Sequence, residues 1–304
     1  MSILVVGSVA YDSVKTPFGT ADDALGGSAT YFSAAASYFA SPVNIVAVVG
    51  DDFDRSKLDF LKARGVDIAG LEVKDGGKTF RWGGEYGFDL NTRETLYTHL
   101  NVFENFQPRV PDAYKDSEFV FLANIGPELQ NDVLSQIRSP KLVALDTMNF
   151  WIDGALPALR KTLARVDVLI INDSEARQLA EEPNLVKASK IIHEMGPRII
   201  IVKKGEHGAM MITEEQFFWA PAYPLEFIFD PTGAGDTFAG GFVGYLAKCG
   251  EITHANLKRA IIYGSTLASF CVERFSVERL QDLSQEEIRG RFLEFWNMTN
   301  FDRD

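Results

Sequence analysis

Asp230-Pro231-Thr232-Gly233-Ala234-Gly235-Asp236-Thr237-Phe238-Ala239-Gly240-Gly241-Phe242 is the stretch whose reading decides the fold. Before it, residues 225–229 are apolar and read as a strand ended by Asp230 and Pro231. After it, the pattern to about Lys248 reads as a helix. Gly233 and Gly235 permit a tight turn whose backbone a ligand can approach closely. The first amides of the helix lack intrahelical partners, and the helix dipole adds partial positive charge there. Together these features bind anions, phosphate above all. Asp236 lies among those donors, which predicts an ionised carboxylate placed to take a proton from a hydroxyl beside a bound phosphate. With Gly233 as N-cap, the same acid occupies the third helical position, where it equally suits stabilising the first turn. The local pattern leaves both readings open.

The chain has 304 residues, room for two ordinary domains or one large α/β domain. Its 46% hydrophobic and 24% charged residues are those of an ordinary soluble globule. A net charge of −12 with no basic block argues against nucleic-acid or anionic-membrane partners. A nucleotide substrate is still compatible, since a local amide cradle and one or two cations suffice. With Cys249 and Cys271 as the two cysteines, a disulfide framework is excluded and a cytoplasmic setting is expected. The histidines at 99, 193, 207 and 254 show no metal-ligand spacing. Residues 1–7 read as a first strand rather than a signal peptide, and no apolar run has membrane-spanning length.

Short continuous apolar runs at 3–6, 44–49, 119–122, 142–145, 166–171 and 198–202 read as buried parallel strands. Helical patterns at 33–39, 54–64 and 127–137, and a core stripe from Leu257 to Cys271, alternate with them. That alternation implies an α/β fold with a mostly parallel central sheet covered on both faces. In such sheets ligands gather at the strands' C-terminal ends. Asp12, Gly26-Gly27, Asp146, Asn172, Gly205 and Asp236 all fall at such exits. Between about 70 and 107 the pattern changes to alternating aromatic and charged residues, including Phe80, Trp82, Tyr86, Phe88 and Tyr97. This predicts a small β-sheet projecting from the core. Its aromatics suit stacking on a flat ligand, and equally a minicore or a contact with a second subunit. Gly76-Gly77-Lys78-Thr79 suggests a phosphate loop, but Glu72 stands where that motif needs glycine.

The stretch Asp230 to Phe238 resembles the C-terminal signature of the ribokinase-like (PfkB) family of sugar and nucleoside kinases. The resemblance extends from Ile3 to roughly Glu273 and implies a single three-layer kinase domain over residues 1–304, with a β-sheet lid inserted at about 70–107. It implies Asp236 as catalytic base, and the amides of Gly233, Ala234, Gly235 and Asp236 as an anion hole for the transferring phosphoryl group. Asp12, Gly26, Gly27, Tyr31 and Trp82 would meet the acceptor. Tyr31 departs from the family pattern, which carries asparagine four residues after the Gly-Gly pair. Asn172 and Glu175 match the motif that positions magnesium and phosphate, with Glu175 reaching Mg²⁺ through water or directly. Asp146, Lys203, Gly205 and Gly208 would lie on the nucleotide side, and Asp230 and Thr232 beside a monovalent cation such as K⁺.

The expected activity is phosphoryl transfer from Mg-ATP to a primary hydroxyl of a sugar or nucleoside. Tyr31 and the lid aromatics tilt the acceptor toward a nucleoside. Two other readings are a kinase of a pyridoxal-type vitamin, whose relatives generally lack the lid, and a non-catalytic sugar or nucleotide sensor on the same scaffold. A homodimer through the lid is also expected.

Overall fold

The computed structural model describes residues 1–300, so the end of the polar tail, 301–304, lies outside the described residues. In chain order the strands are β1 (Ile3–Val6), β2 (Ala10–Thr16), β3 (Gly19–Gly26), β4 (Val43–Gly50), β5 (Val66–Lys74), β6 (Arg81–Tyr86), β7 (Arg93–His99) and β8 (Phe119–Leu122). They continue with β9 (Leu142–Asp146), β10 (Val168–Asn172), β11 (Ile199–Lys203), β12 (Ala209–Ile212) and β13 (Phe217–Ala220). Nine of them form one sheet in the order β13-β12-β11-β10-β9-β8-β1-β4-β5. From β11 to β5 every neighbouring pair is parallel, while β12 and β13 close the far edge antiparallel.

Helices cover both faces: α1 (Ser28–Ala36), α2 (Asp59–Ala63), α3 (Pro127–Gln136), α4 (Asn149–Gly154), α5 (Leu156–Leu163), α6 (Asp173–Ala180), α7 (Leu185–His193), α8 (Ala234–Cys249), α9 (His254–Cys271), α10 (Glu278–Asp282) and α11 (Gln285–Thr299). The strands are hydrophobic throughout because successive side chains enter opposite layers. Ile3, Val5, Ile199 and Ile201 pack toward α1, α8 and α9, while Leu4, Val6, Ile200 and Val202 pack toward α3, α5, α6 and α7. In the first layer Phe32 of α1 stacks on Phe121 of β8 at 4.4 Å.

Small residues let α1 and α8 touch. A Cβ on Gly240 would come within 2.2 Å of the Phe32 carbonyl oxygen, so the two backbones meet there with no side chain between them. This contact anchors the helix whose first turn carries Asp236.

The second sheet has four strands in the order β3-β2-β6-β7. Its make-up corrects the expected lid. Residues 66–74 belong to the large sheet as β5, paired with β4, so the projecting segment starts later than residue 70. Half of the lid comes from residues 10–26, upstream of the segment expected to form it; β2 pairs in parallel with β6. Residues 225–229 are not a strand. Near them, the amides of Phe229 and Asp230 both donate to the Val272 carbonyl, at 2.8 and 3.3 Å. Gly76-Gly77-Lys78-Thr79 is a structural turn: Thr79 is fully buried, with its amide and hydroxyl both donating to Asp52.

Candidate active site

Asp236 stands near the exits of β9 and β11, with Asp146 and Lys203 close by, and near Asp12 of the lid. Gly233 is the N-cap of α8 with φ 73°, so Asp236 is the third helical residue. The positive φ and the neighbour both call for glycine, because a Cβ there would lie 2.4 Å from the Tyr31 ring. Of the expected anion-hole amides, Ala234 donates to the Pro231 carbonyl at 3.3 Å. Gly233 and Gly235 have no protein acceptor among the described residues, and the Asp236 amide donates to its own carboxylate. The carboxyl group is not an ordinary ionised acid. Burial and the nearby charge of Asp146 push it up to about 7, against the opposing pull of Lys203. The expectation of a freely ionised carboxylate therefore counted the helix amides and missed non-local burial.

Lys203 ends β11 and enters this cluster. Its ammonium lies 3.9 Å from Asp146 Oδ1, and a Cβ on Gly235 would be 2.8 Å from its Nζ. Burial disfavours the ammonium, yet Asp146, Glu175 and Asp236 hold it above its usual range. Asp146, last in β9, accepts from the Thr147 amide at 2.9 Å and is raised by burial, with Lys203 opposing. Asn172 and Glu175 form a reciprocal cap on α6. Asn172 Oδ1 accepts the Glu175 amide and Glu175 Oε2 accepts the Asn172 amide, both at 2.8 Å.

The cap uses one Glu175 carboxylate oxygen and leaves Oε1 without a protein donor among the described residues. Burial, then Asp146, raises this carboxyl to about 7. A buried, partly unsatisfied carboxylate beside Asp146 fits a magnesium ion that keeps most of its waters and takes its other ligands from phosphate.

In the lid, Asp12 lies on β2 and is buried. Burial pushes it up to about 7, offset in part by a hydrogen bond from the Gly27 amide. Gly26 ends β3 rather than opening a helix, and its missing side chain is filled by the Asp12 carboxylate, 2.0 Å from where a Cβ would be. Gly27 is the N-cap of α1. Asp12 pairs in register with Trp82 of β6, so both side chains project from the same lid face. The Trp82 indole lies across Gly84, where a Cβ would stand 2.2 Å from the ring, and the Arg93 guanidinium is 5.1 Å from the ring centroid.

Tyr31 does not present a stacking face. It is 1% exposed, wedged beneath Gly233, with a hydroxyl that has no partner. Asp230 is also occupied, since Oδ1 accepts the Thr232 amide at 2.8 Å and Oδ2 the Ser276 amide at 3.1 Å. Gly205 opens the short turn Gly205–His207. Gly208 is packed against β13, where a Cβ would be 2.0 Å from the Ala220 carbonyl oxygen.

Sequence reasoning did not single out Arg93, or Tyr86 as a site residue. Both follow from the lid's alternation, since Tyr86 and Arg93 are paired in register and share the face that carries Trp82 and Gly84. Among the described residues no group of three or more His, Cys, Asp or Glu side chains forms a metal cage, and no helix is long and apolar enough to cross a membrane.

The family model for pfkB family carbohydrate kinases matches residues 2–282. A cytidine kinase of Thermococcus kodakarensis is 28% identical over 249 residues, covering 80% of this chain and 87% of the relative. A nucleoside kinase of Burkholderia thailandensis solved with inosine superposes with a TM-score of 0.78 at 19% identity, covering 97% of this chain and 99% of that one. An E. coli protein described as a putative ribokinase II, solved with ATP and Mg²⁺, gives 0.76 at 20% identity, over 96% and 99% of the two chains. At those identities the two structures establish the fold.

Proposed function

The chain belongs to the pfkB family of carbohydrate kinases, and from that premise we propose that it transfers the γ-phosphoryl group of ATP to a primary hydroxyl of a nucleoside. It is an ATP-dependent kinase of the sugar and nucleoside class, as its family and its cytidine kinase relative are. The observation that carries the nucleoside reading is the Trp82 indole set against Gly84, on the lid face that also presents Asp12. Asp12 accepts hydrogen bonds from the ribose hydroxyls, and Trp82 offers its ring to the base. The lid itself counts against a pyridoxal-type vitamin kinase. An intact Asp236 over free amides counts against a sensor.

In the reaction Asp236 takes the proton of the attacking hydroxyl. The Gly233 and Gly235 amides donate to the phosphoryl oxygens as charge spreads over them, and the Lys203 ammonium adds fixed positive charge at the same turn. Bound magnesium would supply neutralisation of the phosphate oxygens, and Glu175 and Asp146 are the residues that would hold it, directly or through its waters. Gly205 brings the β11 exit close to the nucleotide. Asp230 is 1% exposed and has no salt-bridge partner among the described residues, so a monovalent cation held by backbone carbonyls beside Thr232 would offset its burial.

A panel of nucleosides and of free sugars, assayed for ATP-dependent phosphorylation with and without K⁺, tests this reading. We expect turnover with nucleosides and stimulation by K⁺. Trp82→Ala should raise the nucleoside KM by roughly 10-fold, the worth of one aromatic stack. Turnover confined to free sugars would overturn the nucleoside assignment.

A second copy of the chain is proposed to dock on the lid, whose strand β7 is solvent-facing with Leu96 54% exposed. Sedimentation should show a dimer that Leu96→Asp weakens; a monomeric wild type at micromolar concentration would rule this out.

A further inference from the structure

Tyr86 belongs to the lid but is buried, at 9% exposure, against Thr232 beside the Gly233–Asp236 turn. Thr232 Oγ1 donates to its hydroxyl at 3.2 Å, and Arg93 is its register partner on β7. Thr232 immediately precedes Gly233, the hinge of the anion turn. Its other polar groups are committed as well: the amide donates to Asp230 Oδ1 at 2.8 Å, and the carbonyl accepts the Cys271 thiol at 3.7 Å. The residue that sets the start of the anion turn is therefore held by three bonds, and one of them comes from the lid.

The tip of the same hairpin makes a separate contact. Residues 87–92 form a built turn, with Gly87 donating to the Thr92 carbonyl at 2.9 Å and the Asn91 and Thr92 amides donating to Asp89 Oδ1 at 3.1 and 3.2 Å. From this turn Asn91 Nδ2 donates to Glu206 Oε1 at 3.1 Å, in the Gly205–His207 turn beyond β11. The tip end of the β6–β7 hairpin thus touches the phosphate side twice, through Tyr86 and through Asn91, while its Trp82 end covers the acceptor side.

We infer that Tyr86 is a positioning residue whose hydroxyl, on Thr232, couples closure of the lid over the acceptor to the shape of the Gly233–Asp236 turn. The inference rests on the kinase reading and deepens it. With the lid raised, Thr232 loses one of its three ties and the turn is free to relax. With the lid down on an acceptor, the free amides are fixed where the phosphoryl group needs them. Such coupling withholds the completed anion hole until a hydroxyl is present to compete with water.

Tyr86→Phe removes the hydroxyl and keeps the ring. We expect kcat to fall by about 10-fold, the scale of one organising hydrogen bond in a buried site, with the ATP dissociation constant unchanged. Thr232→Val should give a similar loss. The double variant should be no worse than either single variant, because both remove the same bond. A purely structural role would instead lower the unfolding midpoint and leave kcat of the folded protein unchanged. Full kcat in Tyr86→Phe, or additive losses in the double variant, overturns the coupling. A wild-type protein that phosphorylates no acceptor would instead defeat the kinase reading on which it rests.

Discussion

Asp236→Asn is expected to lower kcat by at least ~100-fold while leaving ATP binding close to that of the wild type. Asparagine keeps the shape at the third position of α8 and removes the acceptor for the hydroxyl proton. If the side chain served only to stabilise the first helical turn, asparagine there would cost stability and little activity, so the ratio of the two losses separates the readings. The pH profile gives a second handle. Burial and the charge of Asp146, against Lys203, bring the Asp236 carboxyl up to about 7. A base has to be ionised, so wild-type kcat should fall roughly tenfold per pH unit below about 7 and level off above it. The residual kcat of Asp236→Asn should lack that limb. Asp12, also brought up to about 7, stays in place in the variant, so an acid limb in kcat/KM for the acceptor should survive. Near-normal phosphorylation by Asp236→Asn would sink the assignment of the base.

The strand exits were legible because each depends on local pattern: a β-branched run, then a glycine or an acid. The large sheet follows from those runs, and with it the gathering of Asp146, Asn172, Lys203 and Asp236 at one edge. What sequence did not disclose is pairing and burial across distance. The run Ala10–Thr16 alternates well enough for a strand, but its partner β6 lies far along the chain, and nothing local announces a parallel pairing. Residues 225–229 have a strand's composition, yet the amide that follows them finds the Val272 carbonyl instead of a ladder. The family resemblance alone implies Tyr31 as an acceptor contact. Its place under Gly233 depends on how α1 packs on α8, which the chain's local order does not reveal.

That packing predicts unequal effects at the two glycines of the anion turn. At Gly233 a side chain meets two obstacles. The φ of 73° is costly for an L-residue, and the Tyr31 ring stands 2.4 Å from the new Cβ. Tyr31 cannot step aside, since it is 1% exposed and packed within the core. Gly233→Ala should therefore lose about 2–4 kcal/mol of stability, from left-handed backbone strain and overpacking together. It should also lose at least ~100-fold in kcat through displaced amide donors. At Gly235 the φ is not positive, and the nearest atom to a new Cβ is the Lys203 Nζ at 2.8 Å, the movable end of a flexible side chain. Gly235→Ala should then unfold within about 1 kcal/mol of the wild type. Its kcat should still fall, because the ammonium it pushes aside is the cation that faces the turn. Denaturant unfolding and initial rates on the two variants decide the matter. A Gly233→Ala protein with wild-type kcat would show that the phosphoryl group does not rest on this turn, and equal stability losses at both positions would show that Tyr31 yields where the packing says it is held.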